Sequence, residues 1–193
     1  MKIGVLAVQG AFIEHEHIIE KIGHEVVEIR QRKDLDGIDG IILPGGESTV
    51  QGQLLRKLDM LATIKSLIAD GLPTLATCAG LILLAGHIDN DDSVHIGTLP
   101  VTVKRNAYGR QLGSFVRTAP MKGFDEFPMI FIRAPYISSI KDNVDVLAAV
   151  NDRIVAVQYN NQIGLAFHPE LSGDTRIHEY FISLLSLIHI SEP

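Results

Sequence analysis

Residues 73–86 read PTLATCAGLILLAG, and they indicate how the first half of the chain folds. Segment 73–78 is apolar enough for a strand that is covered on both faces, and 79–86 predicts a buried helix. Cys78 stands at the junction, with the small residues Ala76 and Gly80 two positions away on either side. This arrangement is typical of a nucleophile elbow, a sharp strand-to-helix turn that exposes one side chain. The alternative is a cysteine that only packs in the core.

The same alternation of strand and helix extends outward from this stretch. Short apolar runs that end at glycine or proline predict strands, and apolar residues at helical spacing predict helices between them. Alternation of this kind indicates a parallel sheet covered by helices on both faces. The predicted strands cover 2–8, 24–29 and 40–46, and the predicted helices cover 11–22, 47–57, 59–70 and 174–185.

The second half of the chain is richer in β-type segments. Asn151-Asp152 and Asn160-Asn161 each separate two such segments, which predicts tight hairpins. We therefore predict one three-layer α/β domain over residues 1–184, with a largely parallel sheet and an antiparallel β extension. The predicted strands of this half cover 97–104, 111–118, 129–133, 144–150, 153–159 and 162–167.

The last nine residues form a separate case. Residues 185–193 read LSLIHISEP, which resembles the translation of a transposase adapter used in sequencing libraries. We expect the native sequence to stop near Leu184 and the remainder to be non-native.

Composition excludes several classes of protein. Of 193 residues, 46% are hydrophobic, which excludes global disorder. The net charge of −6 argues against a nucleic-acid or anionic-membrane surface, because phosphate binding requires clustered Lys and Arg. No apolar run reaches the length of about 18 residues that a membrane-spanning helix needs. The single cysteine cannot form an internal disulfide, and we expect a cytoplasmic protein.

A candidate base follows the predicted strand QIGLAF. His168 and Glu170 lie in the segment FHPEL (167–171), two positions apart, so both side chains point to the same side of an extended segment. Whether they touch depends on the local turn. Two other interpretations of His168 and Glu170 are open. They could lie at a solvated loop end, or they could bind a metal, although the sequence offers no further ligands near them.

Two further segments have the composition of a binding site. Gly45 and Gly46 in PGGEST (44–49) could present backbone N–H groups to an oxyanion beside Cys78, or could form only a helix-capping turn. Arg105 and Arg133 stand in or beside β segments, where they could form surface ion pairs or bind a substrate carboxylate.

Together these segments resemble a known family. The chain is similar to the glutaminase subunits of pyridoxal 5′-phosphate synthases, which are class I (triad) glutamine amidotransferases. The resemblance covers residues 2–184. One position departs from the usual Gly-x-Cys-x-Gly elbow, since Ala76 replaces the first glycine, and we expect this change to be tolerated with slightly strained packing. The motifs are PGGES (44–48), TCAG (77–80), RNAYGRQ (105–111), FIRAP (131–135) and FHPEL (167–171).

The resemblance implies a function for most of these residues. It implies that Cys78 is the nucleophile, His168 the base and Glu170 the residue that orients His168. It also implies hydrolysis of L-glutamine without a metal or cofactor, and transfer of the ammonia to a pyridoxal 5′-phosphate synthase subunit. The implied glutamine site comprises Gly46, Glu47, Ser48, Arg105, Ile132 and Arg133, with backbone N–H groups of Gly46 and Ala79 at the oxyanion.

Three other functions remain open from the sequence. The first is hydrolysis of glutamine by a subunit that supplies ammonia to a different synthase, as in the glutaminase of imidazole glycerol phosphate synthase. The second is a stand-alone hydrolase of this fold, either a cysteine peptidase or a γ-glutamyl hydrolase. The third is a binding module without activity, which the intact set of Cys78, His168 and Glu170 argues against.

Overall fold

The computed structural model describes residues 1–105 and 113–191, and side chains as far as residue 188. Residues 106–112, which include most of the RNAYGRQ motif, and the end of the suspected non-native segment lie outside the described residues. The helices are α1 (Phe12–Lys21), α2 (Ser48–Lys57), α3 (Leu61–Ala69), α4 (Ala79–Leu84) and α5 (Arg176–Ser191). The strands are β1 (Lys2–Leu6), β2 (Glu25–Ile29), β3 (Gly40–Leu43), β4 (Thr74–Thr77), β5 (Ala85–Ile88), β6 (Leu99–Lys104), β7 (Ser114–Met121), β8 (Phe124–Ile132), β9 (Tyr136–Ile140), β10 (Asp145–Val150), β11 (Arg153–Tyr159) and β12 (Gln162–Leu165).

Parallel strands form the half of the sheet that holds the site. The order is β2-β1-β3-β4-β12, and each neighbouring pair is parallel. Four of these strands, β1 to β4, come from the first 77 residues, whereas β12 comes from the second half of the chain. Since β3, β4 and β12 are buried along their whole length, the continuous apolar runs in the sequence are explained.

Helices cover both faces of this parallel half. A Cβ at Gly40 of β3 would lie 3.2 Å from Leu185 of α5, and the register places Gly40 on the same face as Thr77. A Cβ at Gly164 of β12 would instead contact Leu81 of α4, and Gly164 pairs with Ala76 on the opposite face. Helices α5 and α4 therefore pack on opposite faces, which confirms the predicted three layers.

The antiparallel extension continues from β12. Strands β12 and β11 pair antiparallel across Asn160 and Asn161, and β11 pairs antiparallel with β10 across Asn151 and Asp152. Both predicted hairpins are confirmed, and Asn151, Asp152 and Asn160 have the positive φ that such turns require. Strands β9, β6 and β5 extend the sheet further, and β7 and β8 form a separate two-stranded ribbon.

Some predicted boundaries were wrong. The helix expected over 79–86 ends at Leu84, because the chain turns there into β5, which pairs with β6. Strand β9 was not predicted, because the exposed Ser138 and Ser139 interrupt its apolar alternation. Strand β8 starts at Phe124, five residues before the predicted start at 129, where Phe124–Pro128 pair with β7.

The last helix is longer than predicted. It runs to Ser191, and Leu185 is only 1% exposed. The first residue of the suspected non-native segment therefore packs in the core, whereas the origin of 185–193 stays a prediction that resequencing of the locus tests. Among the described residues, no helix combines the length and apolar character needed to cross a membrane.

Candidate active site

The site lies where the parallel strands end. Gln9 follows β1, Gly45 follows β3, Cys78 follows β4 and His168 follows β12. Because the carboxyl ends of neighbouring parallel strands meet at one edge of the sheet, these four residues come together from distant parts of the chain. Such an edge is where open α/β sheets bind their ligands.

Cys78 occupies a strained turn between β4 and α4. Its φ of 50° and ψ of −104° are unusual for a residue with a side chain, and its backbone N–H donates to the Leu165 carbonyl at 2.8 Å. A Cβ at Gly80 would overlap the carbonyl oxygen of Leu43, so the start of α4 can approach β3 this closely only with glycine there. The strained turn is the backbone expected of a nucleophile elbow. The Cys78 Sγ lies 3.8 Å from the carbonyl oxygen of Ile132.

His168 and Glu170 form a buried hydrogen-bonded pair. A short 3₁₀ turn over Pro169–Leu171 brings the Glu170 Oε1 atom to 2.5 Å from the His168 Nδ1 atom. The backbone N–H of His168 donates to the Ile130 carbonyl of β8 at 2.8 Å, which fixes the start of this turn. The two side chains therefore touch, a point that spacing in the sequence left open. Since Nδ1 faces Glu170, Nε2 is the ring atom left to face the cavity.

The surroundings of His168 favour its charged form. Burial by itself lowers the pKa of His168, but its interaction with Cys78 and its hydrogen bond and charge attraction to Glu170 raise that pKa to about 10. At neutral pH the imidazole is therefore protonated. A cationic imidazole beside Cys78 stabilises the thiolate, which is the reactive form of cysteine.

One cavity collects the predicted site residues. Its volume is about 530 Å³, within the usual range for small-molecule sites. Glu170 does not line it, because this side chain lies behind His168. The lining includes Cys78, Ala79 and His168 together with the predicted glutamine-site residues Gly46, Glu47, Ser48, Arg105, Ile132 and Arg133.

Arg105 reaches the cavity from the end of β6. Its Nη1 atom lies 3.3 Å from the Thr49 Oγ1 atom and 3.7 Å from the Asp91 Oδ2 atom. Its buried Nε atom has no hydrogen-bond partner within the part of the chain that the structure describes. A buried guanidinium N–H group that lines a cavity is suited to bind a carboxylate.

The sequence analysis missed Gln9, which holds the loop of Gly45 and Gly46 after β3 (the glycine loop). The Gln9 Oε1 atom accepts a hydrogen bond from the Glu47 N–H at 2.9 Å, and the Gln51 side chain donates to the Gln9 and Pro44 carbonyls, each at 3.2 Å. Gly46 has a φ of +154°, and a Cβ there would overlap the Gln9 Oε1 atom, so this contact requires glycine. Gln9 is a polar residue directly after an apolar strand. This position in the sequence could have indicated that its side chain lies at the edge of the sheet that forms the site.

A second missed residue lies behind the triad candidates. His15 on α1 is fully buried, and its imidazole lies beside Glu170. The signal was its place in the apolar stripe of α1, between Phe12 and Ile19 at helical spacing. No group of three or more His, Cys, Asp or Glu residues that could hold a metal occurs among the described residues.

Comparisons with known proteins identify the family of the chain. The model of the SNO glutamine amidotransferase family matches residues 5–186. The chain is 58% identical over 187 residues to the pyridoxal 5′-phosphate synthase subunit PdxT of Desulfitobacterium hafniense, which covers 96% of this chain and 94% of that protein. It is 51% identical over 188 residues to the subunit of the same name from Streptococcus pneumoniae, covering 95% of this chain and 97% of that protein.

A solved structure is also similar over nearly the whole chain. The structure described as a glutamine amidotransferase superposes with a TM-score of 0.92 at 38% identity, covering 95% of this chain and 98% of the other. Family, relatives and fold thus lead to one assignment. The chain belongs to the SNO glutamine amidotransferase family.

Proposed function

We propose that this chain is the glutaminase subunit of a pyridoxal 5′-phosphate synthase, and that Cys78, His168 and Glu170 are its catalytic triad. The main support for the proposal is the geometry of the cavity of about 530 Å³. Cys78, in its strained backbone conformation, and His168, which is hydrogen-bonded to the buried Glu170, line the same cavity. The names of the relatives at 51–58% identity support the choice of synthase.

The first chemical step forms a thioester. The Cys78 thiolate attacks the side-chain carboxamide carbon of glutamine, and the oxygen of that group becomes an oxyanion. Backbone N–H groups of Gly46 and Ala79 stabilise the oxyanion, and loss of one such donor typically costs about 10²–10³ in rate. The carbon–nitrogen bond then breaks as His168 gives its Nε2 proton to the leaving nitrogen, which departs as ammonia.

The second step restores the enzyme. His168, now neutral, removes a proton from water as the oxygen attacks the thioester carbonyl carbon. The carbon–sulfur bond breaks, glutamate is released, and Cys78 and His168 return to the thiolate and imidazolium. Glu170 holds His168 Nδ1–H throughout, so the tautomer that presents Nε2 to substrate is kept.

Substrate binding is assigned to the polar lining of the cavity. We assign Arg105 to the α-carboxylate of glutamine, because its Nε–H group is buried there without another partner among the described residues. Glu47, Ser48, Ile132 and Arg133 form the remaining walls. Ammonia passes to the synthase subunit, and a mechanism that depends on a free thiolate fits a reducing, cytoplasmic location.

A covalent label tests the site. The chain, mixed with a pyridoxal 5′-phosphate synthase subunit, is treated with a chloroketone analogue of glutamine and then digested for peptide mass spectrometry. We expect the label on Cys78, with protection by excess L-glutamine, and no label in C78A. A label that excess glutamine does not block would contradict the glutamine site, and a label at another residue would remove Cys78 as the nucleophile.

A further inference from the structure

Behind the triad lies a buried row of polar side chains that the mechanism above does not use. The His15 Nε2 atom is 3.5 Å from the Glu170 Oε2 atom and 3.3 Å from the Thr77 Oγ1 atom. On its other side, the His15 Nδ1 atom is 2.9 Å from the His178 Nε2 atom of α5. His15 and His178 are both 0% exposed, so bulk solvent does not reach these ring nitrogens.

The contacts determine which nitrogens carry protons. Burial, followed by the charges of His178 and His168, lowers the pKa of His15 well below its usual value, and burial lowers that of His178 to about 4. Both rings are therefore neutral near pH 7 and carry one N–H each. Within the described residues, the His178 Nδ1 atom has no hydrogen-bond partner.

Two tautomer arrangements satisfy the 2.9 Å contact between the rings. If His15 donates from Nδ1, then His178 must keep its proton on Nδ1, where it has no acceptor among the described residues, and the His15 Nε2 lone pair faces the Glu170 carboxylate. If His178 donates from Nε2 instead, every N–H has an acceptor and the orphan atom is only a lone pair. The second arrangement is favoured, because a buried unsatisfied donor and a lone pair against a carboxylate are both costly.

We propose that His15 is a positioning residue of the triad, whose Nε2–H holds the second carboxylate oxygen of Glu170 while His178 fixes the tautomer of His15. This inference rests on the proposed function of Cys78, His168 and Glu170. Oε1 of Glu170 accepts from His168, whereas the buried Oε2 has no hydrogen-bond partner among the described residues and faces the His15 Nε2 atom at 3.5 Å, so His15 is placed to orient it. Because the His15 ring is neutral, it orients Glu170 without cancelling the negative charge that supports the His168 imidazolium.

Four elements of the fold fix the position of His15 next to Glu170. His15 extends from α1, Glu170 follows β12, Thr77 ends β4 and His178 extends from α5, so four elements of the fold meet at one imidazole. The rings of His15 and His178 are tilted by 48° with centroids 5.2 Å apart, and their contact joins α1 to α5. Orientation of Glu170 therefore depends on the packing of α1 and α5 on the sheet.

Three substitutions at His15 test the inference. A glutamine places its amide nitrogen near the imidazole Nε2 position, an asparagine places it near Nδ1, and a leucine has no donor. The readout is the rate at which iodoacetamide alkylates Cys78 as a function of pH, measured on the full chain without glutamine or a partner. This profile reports how strongly His168 supports the thiolate, whereas a merely structural change would lower only the thermal midpoint.

We expect H15L and H15N to move the acid limb of the alkylation profile up by about half to one pH unit, the size of one typical net hydrogen-bond contribution. H15Q should stay within about 0.2 units of the wild type. Glutamine hydrolysis with the synthase subunit should fall roughly tenfold in kcat for H15L, with KM changed less than twofold. If H15L does not fold, the inference is tested by H15N and H15Q alone: H15N should shift the acid limb and H15Q should not.

Two controls separate the possible failures. I19V removes a methylene group from a fully buried position on the same helix and should lower stability without moving the profile. E170Q should move the acid limb further than H15L does. If E170Q shifts the profile and neither H15L nor H15N does, the inference about His15 is overturned while the triad stands. If E170Q leaves the profile unchanged, the proposed function itself fails.

Discussion

Replacement of Gly45 with alanine offers a sharp test of the triad geometry. A Cβ at this position would lie 3.1 Å from the Nδ1 atom and 3.4 Å from the Nε2 atom of His168, and within 3.0 Å of the Cε1 atom between them. These are the three nearest atoms, and all belong to one imidazole. Since carbon atoms pack at about 3.5–4.0 Å, the ring must move by about 1 Å to admit the methyl group.

The expected losses of activity and stability in G45A follow from this displacement of the His168 ring. A shift of about 1 Å in a catalytic group can cost about 10² in rate, so we expect kcat/KM for glutamine hydrolysis to fall at least that far in G45A. Overpacking of this kind destabilises by about 1–3 kcal/mol. Gly45 has no positive φ, so the backbone itself accepts alanine, and the smaller entropy of the unfolded chain would alone stabilise the protein by about 0.4–1 kcal/mol.

A double-mutant cycle isolates the clash. Urea unfolding is measured for the wild type, G45A, H168A and the double variant. In the H168A background the imidazole is absent, so the Gly45 substitution should become neutral or stabilising, and the coupling energy should exceed about 1 kcal/mol. Equal destabilisation in both backgrounds, or wild-type activity of G45A, would refute the placement of His168 against the glycine loop.

Three further predictions address the triad and the elbow. C78A should abolish release of ammonia while leaving binding of the synthase subunit intact, measured by enzyme-coupled ammonia detection and by size-exclusion chromatography; residual hydrolysis would contradict the role of Cys78. Because the pKa of His168 is about 10 in the fold and about 6.5 in the unfolded chain, its protonation stabilises the fold fully below pH 6.5, and this contribution is lost as pH rises toward 10. The unfolding free energy of the wild type relative to H168N should therefore decline across that window, and a constant difference would argue against an imidazolium. A76G should retain activity within about twofold, and relief of the strain expected at Ala76 should offset part of the cost of about 1 kcal/mol from loss of a buried methyl group and gain of backbone freedom; destabilisation by the full amount in urea unfolding would contradict strained packing.

The fold could be predicted largely because its strands and turns are local signals. Apolar runs that end at Gly45 or Cys78 define buried parallel strands, and paired Asn and Asp residues define the hairpins. The site residues on these strand ends could be predicted for the same reason, since parallel strands bring their carboxyl ends to one edge.

Other features depend on contacts between distant residues. His15 meets Thr77 and His178 across 62 and 163 positions of sequence, and a histidine on a helix gives no local sign of such partners. The apolar stripe of α1 could have indicated that His15 is buried, but not that it faces Glu170. Strand β9 was missed because pairing with β6 and β11, rather than its own sequence, makes Tyr136–Ile140 a strand.

The most direct test of the account is release of ammonia from L-glutamine by the purified chain, alone and with a pyridoxal 5′-phosphate synthase subunit added, in wild type and C78A. We predict a marked rise in rate when the synthase subunit is added to the wild type, and none with C78A. Activity that does not respond to the synthase subunit would keep the triad but contradict the assignment to this synthase. No activity in either state would contradict the glutaminase function itself.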